Sequence, residues 1–537
     1  MDKIYDYIVI GAGSSGCVMA NRLSADPAIS VLLLEAGGPD KHPYIHIPGA
    51  YPKNHKSKRD WGFWSIPQKH LNQRKLYLPR GKVLGGCSST NAMAYVRGNK
   101  HDFDHWAALG NPGWSYEEVL PMFIKSENNQ HIDELEESYH GTEGELKVSL
   151  QHDSATPFAQ IFIDSCQALG IQSNQDYNGR SQKGASHFQF TIADGKRQSS
   201  AVSFLKPVMD RSNLTVITQA HVTKIHVHLD EVTGISFKRG STITDVSVDK
   251  EVILSAGAFQ SPQLLMLSGI GPRDHLRQAK VELVHELPGV GQNLQDHLFY
   301  GVSALTKLPE GMNHHLSIPG QLKGLWSYYR SKAGPLMRSP LEAGAFLNID
   351  DPTADVNFQI HFAPISFGEG YEYDVYDVNS YPHQDGISVL PTLLHPCSRG
   401  EVIISSADPM SPPVIDPKFL SEEKDLEQLV KGGKLALDII RQAPFAAKLS
   451  KIIAPLQHNS EAGIIDHIEK SVETVYHPVG TCKMGHDELS VVDHELKVYG
   501  IGKLRVVDAS IMPTIVSGNT NAACVMIAEN AARIILS

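Results

Sequence analysis

The feature that most constrains this chain lies at its start. Ile8-Val9-Ile10 is a short apolar run, and Gly11-Ala12-Gly13-Ser14-Ser15-Gly16 follows it at once. Cys17 to Leu23 then reads as a helix, and Val31-Leu32-Leu33-Leu34 as a second buried strand ending in Glu35. Strand, GxGxxG, helix, strand and acid in that order make a dinucleotide-binding fingerprint. Gly11 permits the tight turn, Gly13 lets the backbone approach a pyrophosphate, and Gly16 lets the helix pack closely on the sheet. The helix N-terminus offers unpaired N–H groups and a positive dipole end to the phosphates. Glu35, about 20 residues beyond the glycines, is placed to accept a hydrogen bond from a ribose hydroxyl. The motif alone leaves NAD and FAD equally open, because both carry an adenosine diphosphate end.

Bulk properties exclude several other classes. The 537 residues carry 48 Lys and Arg against 59 Asp and Glu, a net charge of −11, which argues against a nucleic-acid platform. No uncharged apolar run reaches the ~18 residues that a membrane-spanning helix needs. Met1-Asp2-Lys3 leads straight into the strand at Tyr5–Ile10, so the N-terminus does not read as a signal peptide. The six cysteines are scattered with no CxxC pair, as in a reduced compartment. A cytoplasmic location is expected, with peripheral contact at the inner face of a membrane left open, and no metal site.

After Glu35 the chain is rich in Gly and Pro, which predicts an irregular surface excursion instead of a regular βαβ repeat. Strand patterns follow at Leu214–Ile217, Val222–Val227 and Val252–Leu254. Asp425 to Leu449 has helical periodicity, with an interruption expected at Gly432-Gly433. The acidic run at 133–137 reads as a solvated helix face, and Tyr371 to Tyr381 as a long loop, either a cover over a pocket or plain surface. Near the end, Leu504-Arg505-Val506-Val507 is a buried strand with Asp508-Ala509-Ser510 at its carboxyl end, where open αβ sheets bind ligands. Gly518-Asn519-Thr520-Asn521 then opens an apolar-faced helix over Ala522–Ile535, with Asn519 or Thr520 available as its cap.

Several further stretches resemble one family. Gly81-Lys82-Val83-Leu84-Gly85-Gly86-Cys87-Ser88-Ser89-Thr90-Asn91 resembles the first signature of the glucose–methanol–choline (GMC) oxidoreductases. Gly257 through Gly271 resembles the second, and Pro288 through His297 and His477-Pro478-Val479-Gly480-Thr481 are similar to further family stretches. The resemblance spans essentially the whole chain and implies FAD in place of NAD. It also implies an α/β fold: a Rossmann-like FAD-binding domain built from discontinuous segments, plus an α+β substrate domain with an antiparallel sheet. The FAD domain is expected at 1–40, 78–150, 205–305 and 475–537, and the substrate domain at 41–77, 151–204 and 306–474.

Carried over position by position, the resemblance implies that Gly11, Gly13, Ser14, Ser15, Glu35 and Ala36 contact the adenosine and pyrophosphate, and that Gly16 supports them. Trp61 resembles a family tryptophan near the cofactor, and Val222 an adenine contact. Gly81, Gly86, Ser89, Asn91 and Ala92 look like the loop threaded along the flavin. Tyr476, Asp508, Ala509 and Thr520 would lie near its ribityl and isoalloxazine end. Some relatives carry a histidine at the position of Thr90 and tether it to the flavin. Threonine cannot form that bond, so dissociable, non-covalent FAD is expected.

The implied reaction is oxidation of a primary alcohol, aliphatic or aromatic, to the aldehyde. Such a reaction removes a hydroxyl proton and a hydride from one carbon, and flavin N5 takes the hydride. The protein must then supply a base, and a histidine of near-neutral pKa suits. Among 26 histidines the family match singles out His477 as that base, with Asn521 as the partner that positions the substrate oxygen. Choline is the less favoured substrate. It would draw on Trp326, Tyr328, Tyr329 and Glu342 for aromatic faces and a carboxylate, although Trp326 and Tyr329 suit the core equally well. The electron acceptor, quinone-like or oxygen, stays open. The runner-up reading is a lyase or a light-driven fatty-acid decarboxylase on the same scaffold and FAD.

Overall fold

The computed structural model describes residues 4–369 and 374–537. The opening run forms the strand Ile4–Ile10, and the helix Ser14–Leu23 (α1) follows the glycine turn. Five strands are parallel, in the order Leu214–Thr218, Val31–Glu35, Ile4–Ile10, Thr242–Leu254 and Leu504–Val506. Near-continuous apolar runs such as Val31–Glu35 are buried throughout, as strands covered on both faces must be. The 13-residue strand Thr242–Leu254 serves two neighbours. Its first half pairs antiparallel with Glu231–Arg239, which in turn pairs with His221–His228. Its second half joins the parallel set, through Val252↔Ile8 and Leu254↔Val506.

The second sheet is antiparallel: Leu449–Ala454, Val302–Thr306, Gly386–Leu393, Phe358–Ala363, Ala343–Leu347 and Gly184–His187, with Leu298–Phe299 and Glu473–Thr474 added at one side. Leu298–Phe299 and Val302–Thr306, inside the segment 205–305, pair with this sheet. Among its helices are Ile318–Ser331 (α2) and Glu423–Arg441 (α3). The chain closes with the helix Asn521–Leu536 (α4), which packs against α1 beside the parallel sheet.

Two local expectations fail for identifiable reasons. α3 runs unbroken through Gly432 and Gly433, whose bare backbones are contact surfaces. A Cβ at Gly432 would lie 2.3 Å from the Phe358 ring, and one at Gly433 would lie 1.8 Å from the Tyr300 hydroxyl. Close packing against the sheet outweighs the roughly 1 kcal/mol each glycine costs a helix. The acidic run is no helix face either, since it is split between two single 3-10 turns, Ile132–Glu134 and Glu137–Tyr139.

Candidate active site

The carboxyl ends of the parallel strands and one face of the antiparallel sheet enclose a cavity of about 490 Å³. On the parallel-sheet side the glycines divide by what crowds them. Gly11 has φ +95°, and a Cβ there would meet the Ser255 carbonyl oxygen at 2.5 Å. At Gly16 a Cβ would strike the Gly11 oxygen at 1.8 Å, so this glycine serves helix packing and does not line the cavity. A Cβ on Gly13 would find no protein atom nearer than Ser255 O at 4.0 Å, although Gly13 lines the cavity. Gly86 closes from the far wall, with φ +52° and room for no Cβ against Gly13 Cα at 2.7 Å. These glycines keep open a cradle that side chains would otherwise occupy.

Two helix N-termini converge on that cradle. Neither Gly13 at the head of α1 nor Thr520 at the head of α4 makes a side-chain cap bond, so Thr520 takes the expected cap position without capping through its hydroxyl. Ser14 Oγ donates to Asn521 Oδ1 at 2.8 Å, and Ser15 Oγ to the Cys524 carbonyl at 2.9 Å, locking the two helix heads together. Glu35 accepts from the Ala12 and Gly37 amides at 2.9 and 2.7 Å, and burial pushes its carboxyl up to about 7. Trp61 lies parallel to Phe63, with the Lys82 ammonium 4.2 Å from its ring centre. Paired helix heads, a glycine floor and a wall of Trp61, His221 and Val222 fit the phosphates and adenine of FAD.

Of the expected cofactor residues, all but Gly16 and Ser89 line the cavity. Ser89 is fully buried because its Oγ turns away to donate to the Leu84 carbonyl at 2.7 Å. Asp508 lines the cavity, but its carboxylate is spent inside the protein. It accepts from the Gly257 amide at 2.8 Å, the Ser510 amide at 2.8 Å and the Ser261 and Ser510 hydroxyls, so it fixes the Gly257 turn. Asn91 Oδ1 accepts from Arg197 at 2.6 Å. That buried guanidinium, which sequence reasoning missed, also ties the Ile45 and Ser88 carbonyls.

The opposite end of the cavity holds His477. Tyr476 before it adopts φ +68°, a left-handed conformation that costs a non-glycine residue energy. It is held there by Arg80, which donates to its carbonyl, and by its own amide, which donates to Thr474 Oγ1 at 2.7 Å. Asp296 accepts from the Thr474 hydroxyl and from the His477 amide at 2.8 Å. Both ring nitrogens of His477 are engaged: Nδ1 lies 3.0 Å from His297 Nδ1, and Nε2 lies 3.3 Å from Asn519 Nδ2. With the Asn519 amide donating, Nε2 holds a lone pair. The Nδ1–H then donates to His297. Burial, reinforced by His297, His361 and Arg80, lowers the His477 pKa well below its usual value, so the ring is neutral at pH 7.

The residue beside His477 is therefore Asn519. Asn521, expected there, is the first residue of α4 and points back to Ser14 in the phosphate cradle. A third polar residue completes the group. His361, on the strand Phe358–Ala363, is buried with Nδ1 3.0 Å from Thr392 Oγ1, and burial pushes it down to about 4. Its Nε2 and Asn519 Oδ1 are both buried, and the interaction of the His361 ring with the Asn519 side chain opposes the effect of burial.

Around this trio the walls are largely apolar, with Met312, Leu336, Leu341, Ile365 and Phe367. Val375, Val378 and Tyr381 of the expected loop also line the cavity, whereas positions 371–373 lie outside the described residues. None of the residues considered for choline reaches it. Trp326 and Tyr329 are solvent-exposed, not core. Tyr328 is buried and donates to the Gly195 carbonyl at 2.9 Å. Glu342 is spent on Thr156 and Arg338. Among the described residues, the only carboxylates lining the cavity are Glu35 and Asp508, both at the cradle end.

Comparison with known proteins agrees with this architecture. The N-terminal model of the GMC oxidoreductases matches residues 5–299, and the C-terminal model residues 396–528. An alcohol dehydrogenase [acceptor] of Pseudomonas putida is 43% identical over 549 aligned residues, covering 99% of this chain and 96% of that protein. An oxygen-dependent choline dehydrogenase of Photobacterium profundum is 38% identical, covering 100% and 94%. The crystal structure of pyridoxine 4-oxidase from Mesorbium loti superposes with a TM-score of 0.88 at 32% identity, covering 98% of each chain.

Proposed function

The chain belongs to the GMC oxidoreductases, FAD-binding enzymes that act on CH–OH donors, and on that premise we propose that it oxidises an uncharged primary alcohol with an apolar tail to the aldehyde. The observation that carries this reading is the neutral His477, its Nε2 lone pair facing Asn519 inside a cavity with apolar walls. Bound FAD supplies the hydride acceptor. This chain's residues hold it without a covalent bond, through the glycine cradle, the heads of α1 and α4, Glu35 and Trp61, because Thr90 offers no nitrogen for a tether.

His477 Nε2 takes the hydroxyl proton, and the His297 contact at Nδ1 keeps that lone pair turned toward the cavity. Asn519 Nδ2 then donates to the oxygen as its charge develops. His361 lies next to Asn519 and positions that amide. The apolar walls take the tail, and no carboxylate among the described residues stands at that end to pair with a quaternary ammonium.

The test is anaerobic mixing of the purified holoenzyme with a series of alcohols, followed by the visible flavin bands. Bleaching that quickens with chain length, and is weaker with choline, supports the reading. Unchanged bands with every alcohol would sink it. Light-dependent carbon dioxide release from a fatty acid would then favour the decarboxylase.

A further inference from the structure

Helix α2 is built inside out. A surface helix normally buries its apolar stripe and shows its polar face. Here Gly324 and Tyr328 are the buried residues, while Ile318, Leu322, Leu325, Trp326 and Tyr329 are each between 38% and 77% exposed. Their spacing of four, three, one and three residues puts all five on one side of the helix. The adjoining side, through Gly320, Gln321 and Gly324, lines the cavity together with Leu325 at the edge of the stripe, so the helix is a single-layer wall between the substrate space and the outside.

Charge is segregated around this stripe. Residues 41–59 and 311–341 contain nine of the chain's 48 Lys and Arg and none of its 59 Asp and Glu, although Arg338 pairs with Glu342 and Lys56 with Asp374 just outside them. The two segments meet: Lys53 Nζ donates to Gln321 Oε1 at 3.1 Å, and Gly49 abuts the Pro335 carbonyl so closely that a Cβ would lie 2.7 Å from it. Lys323 and Arg330 flank the apolar side chains, with the Arg330 guanidinium 5.3 Å from the Trp326 ring centre. Among the described residues neither cation, nor Lys332, has a carboxylate partner.

We infer that α2 docks the enzyme on an anionic lipid bilayer, its apolar stripe in the headgroup–acyl boundary and its cations on the lipid phosphates. An apolar face rimmed by Lys and Arg with exposed Trp and Tyr is the make-up of an interfacial helix. A second copy of the chain fits the stripe less well. Pairing two such helices would bring Lys323 and Arg330 of both together. Five side chains also fall far short of the roughly 20–30 residues a side that stable interfaces use. The use of this docking, delivery of a membrane-dissolved alcohol through the α2 wall, rests on the proposed oxidation, but the docking does not.

The test is sedimentation of the holoenzyme with vesicles of phosphatidylglycerol and phosphatidylcholine, against phosphatidylcholine alone, at low and high salt. Two variants accompany it, Leu322→Ser/Trp326→Ser and Lys323→Glu/Arg330→Glu, at positions that do not line the cavity. Binding to the anionic vesicles, weakened by salt and by more than about tenfold in each variant, is the expected result. Flavin reduction by a short soluble alcohol stays at the wild-type rate in both variants, which separates lost docking from lost folding or chemistry. Absence of binding by the wild type, or undiminished binding by the variants, overturns the inference. So does a wild-type dimer that Leu322→Ser/Trp326→Ser splits, because the stripe would then belong to a second copy.

Discussion

Asn519→Ala and Asn521→Ala separate two asparagines that lie two residues apart and face different ends of one cavity. In Asn519→Ala the amide 3.3 Å from His477 Nε2 disappears, and with it the donor next to the point where the substrate oxygen gains charge. Loss of one such preorganised donor costs roughly 2.7–4 kcal/mol, a fall of about 10²–10³ in rate. The 3.3 Å contact is long for a hydrogen bond and belongs to the ligand-free site, so the lower figure, about 10², is expected. Asn521→Ala removes instead the 2.8 Å bond from Ser14 at the joined helix heads. One neutral hydrogen bond is worth about 1 kcal/mol net, so FAD retention weakens about fivefold while the chemical step is unaltered. The assay is anaerobic stopped-flow flavin reduction at matched FAD occupancy, with the FAD dissociation constant measured separately. If Asn521→Ala slows reduction a hundredfold and Asn519→Ala by less than about fivefold, the assignment drawn from the geometry is wrong.

Other expectations follow from the same site. His477→Ala lowers flavin reduction by about 10²–10⁴ at neutral pH. In the wild type the neutral ring is the active form and burial depresses its pKa below 6.5, so kcat/KM is flat from pH 7 upward and falls only on acidification below that value. A limb centred at or above pH 7 would contradict this. Gly13→Ala meets no protein atom within 4.0 Å, so it leaves the melting temperature of the apoprotein within a few degrees yet weakens FAD binding. Gly16→Ala drives a Cβ to 1.8 Å from the Gly11 oxygen and lowers the apoprotein melt itself, and equal effects of the two would refute the division. Acid precipitation of the holoenzyme releases its flavin to the supernatant, since Thr90 stands where a tether would form. Yellow colour left in the pellet argues for a covalent bond.

Much of the cofactor half was legible because its determinants are local. Strand, glycine turn, helix and acid are consecutive between Ile4 and Glu35, and each glycine's task follows from the turn or packing it permits. The same holds for Val252–Leu254 and Leu504–Val507, whose apolar runs suit a doubly covered sheet. His477 was singled out through the stretch around it, not through its own chemistry, since 26 histidines compete on sequence alone.

The remainder depended on how separate segments meet. Gly518-Asn519-Thr520-Asn521 offers two equivalent amides, and the start of α4 at Asn521 alone sends one toward Ser14 and leaves the other beside His477. His361 sits in a buried strand between apolar neighbours, where only the fold shows that it lies at the cavity next to Asn519. Gly432 and Gly433 look like a break until Phe358 and Tyr300 are seen against them, and Trp326 and Tyr329 look like core until α2 is found facing out. By itself the sequence determined the glycine turn and the parallel strands around it, since short-range backbone geometry and apolar periodicity encode these, and its motifs carried the family resemblance. Which amide meets His477, what lines the substrate end and which face of α2 meets the surroundings were decided only in the tertiary structure. Side-chain direction is set by where an element begins and by what it packs against, and both are contacts between residues far apart in the chain.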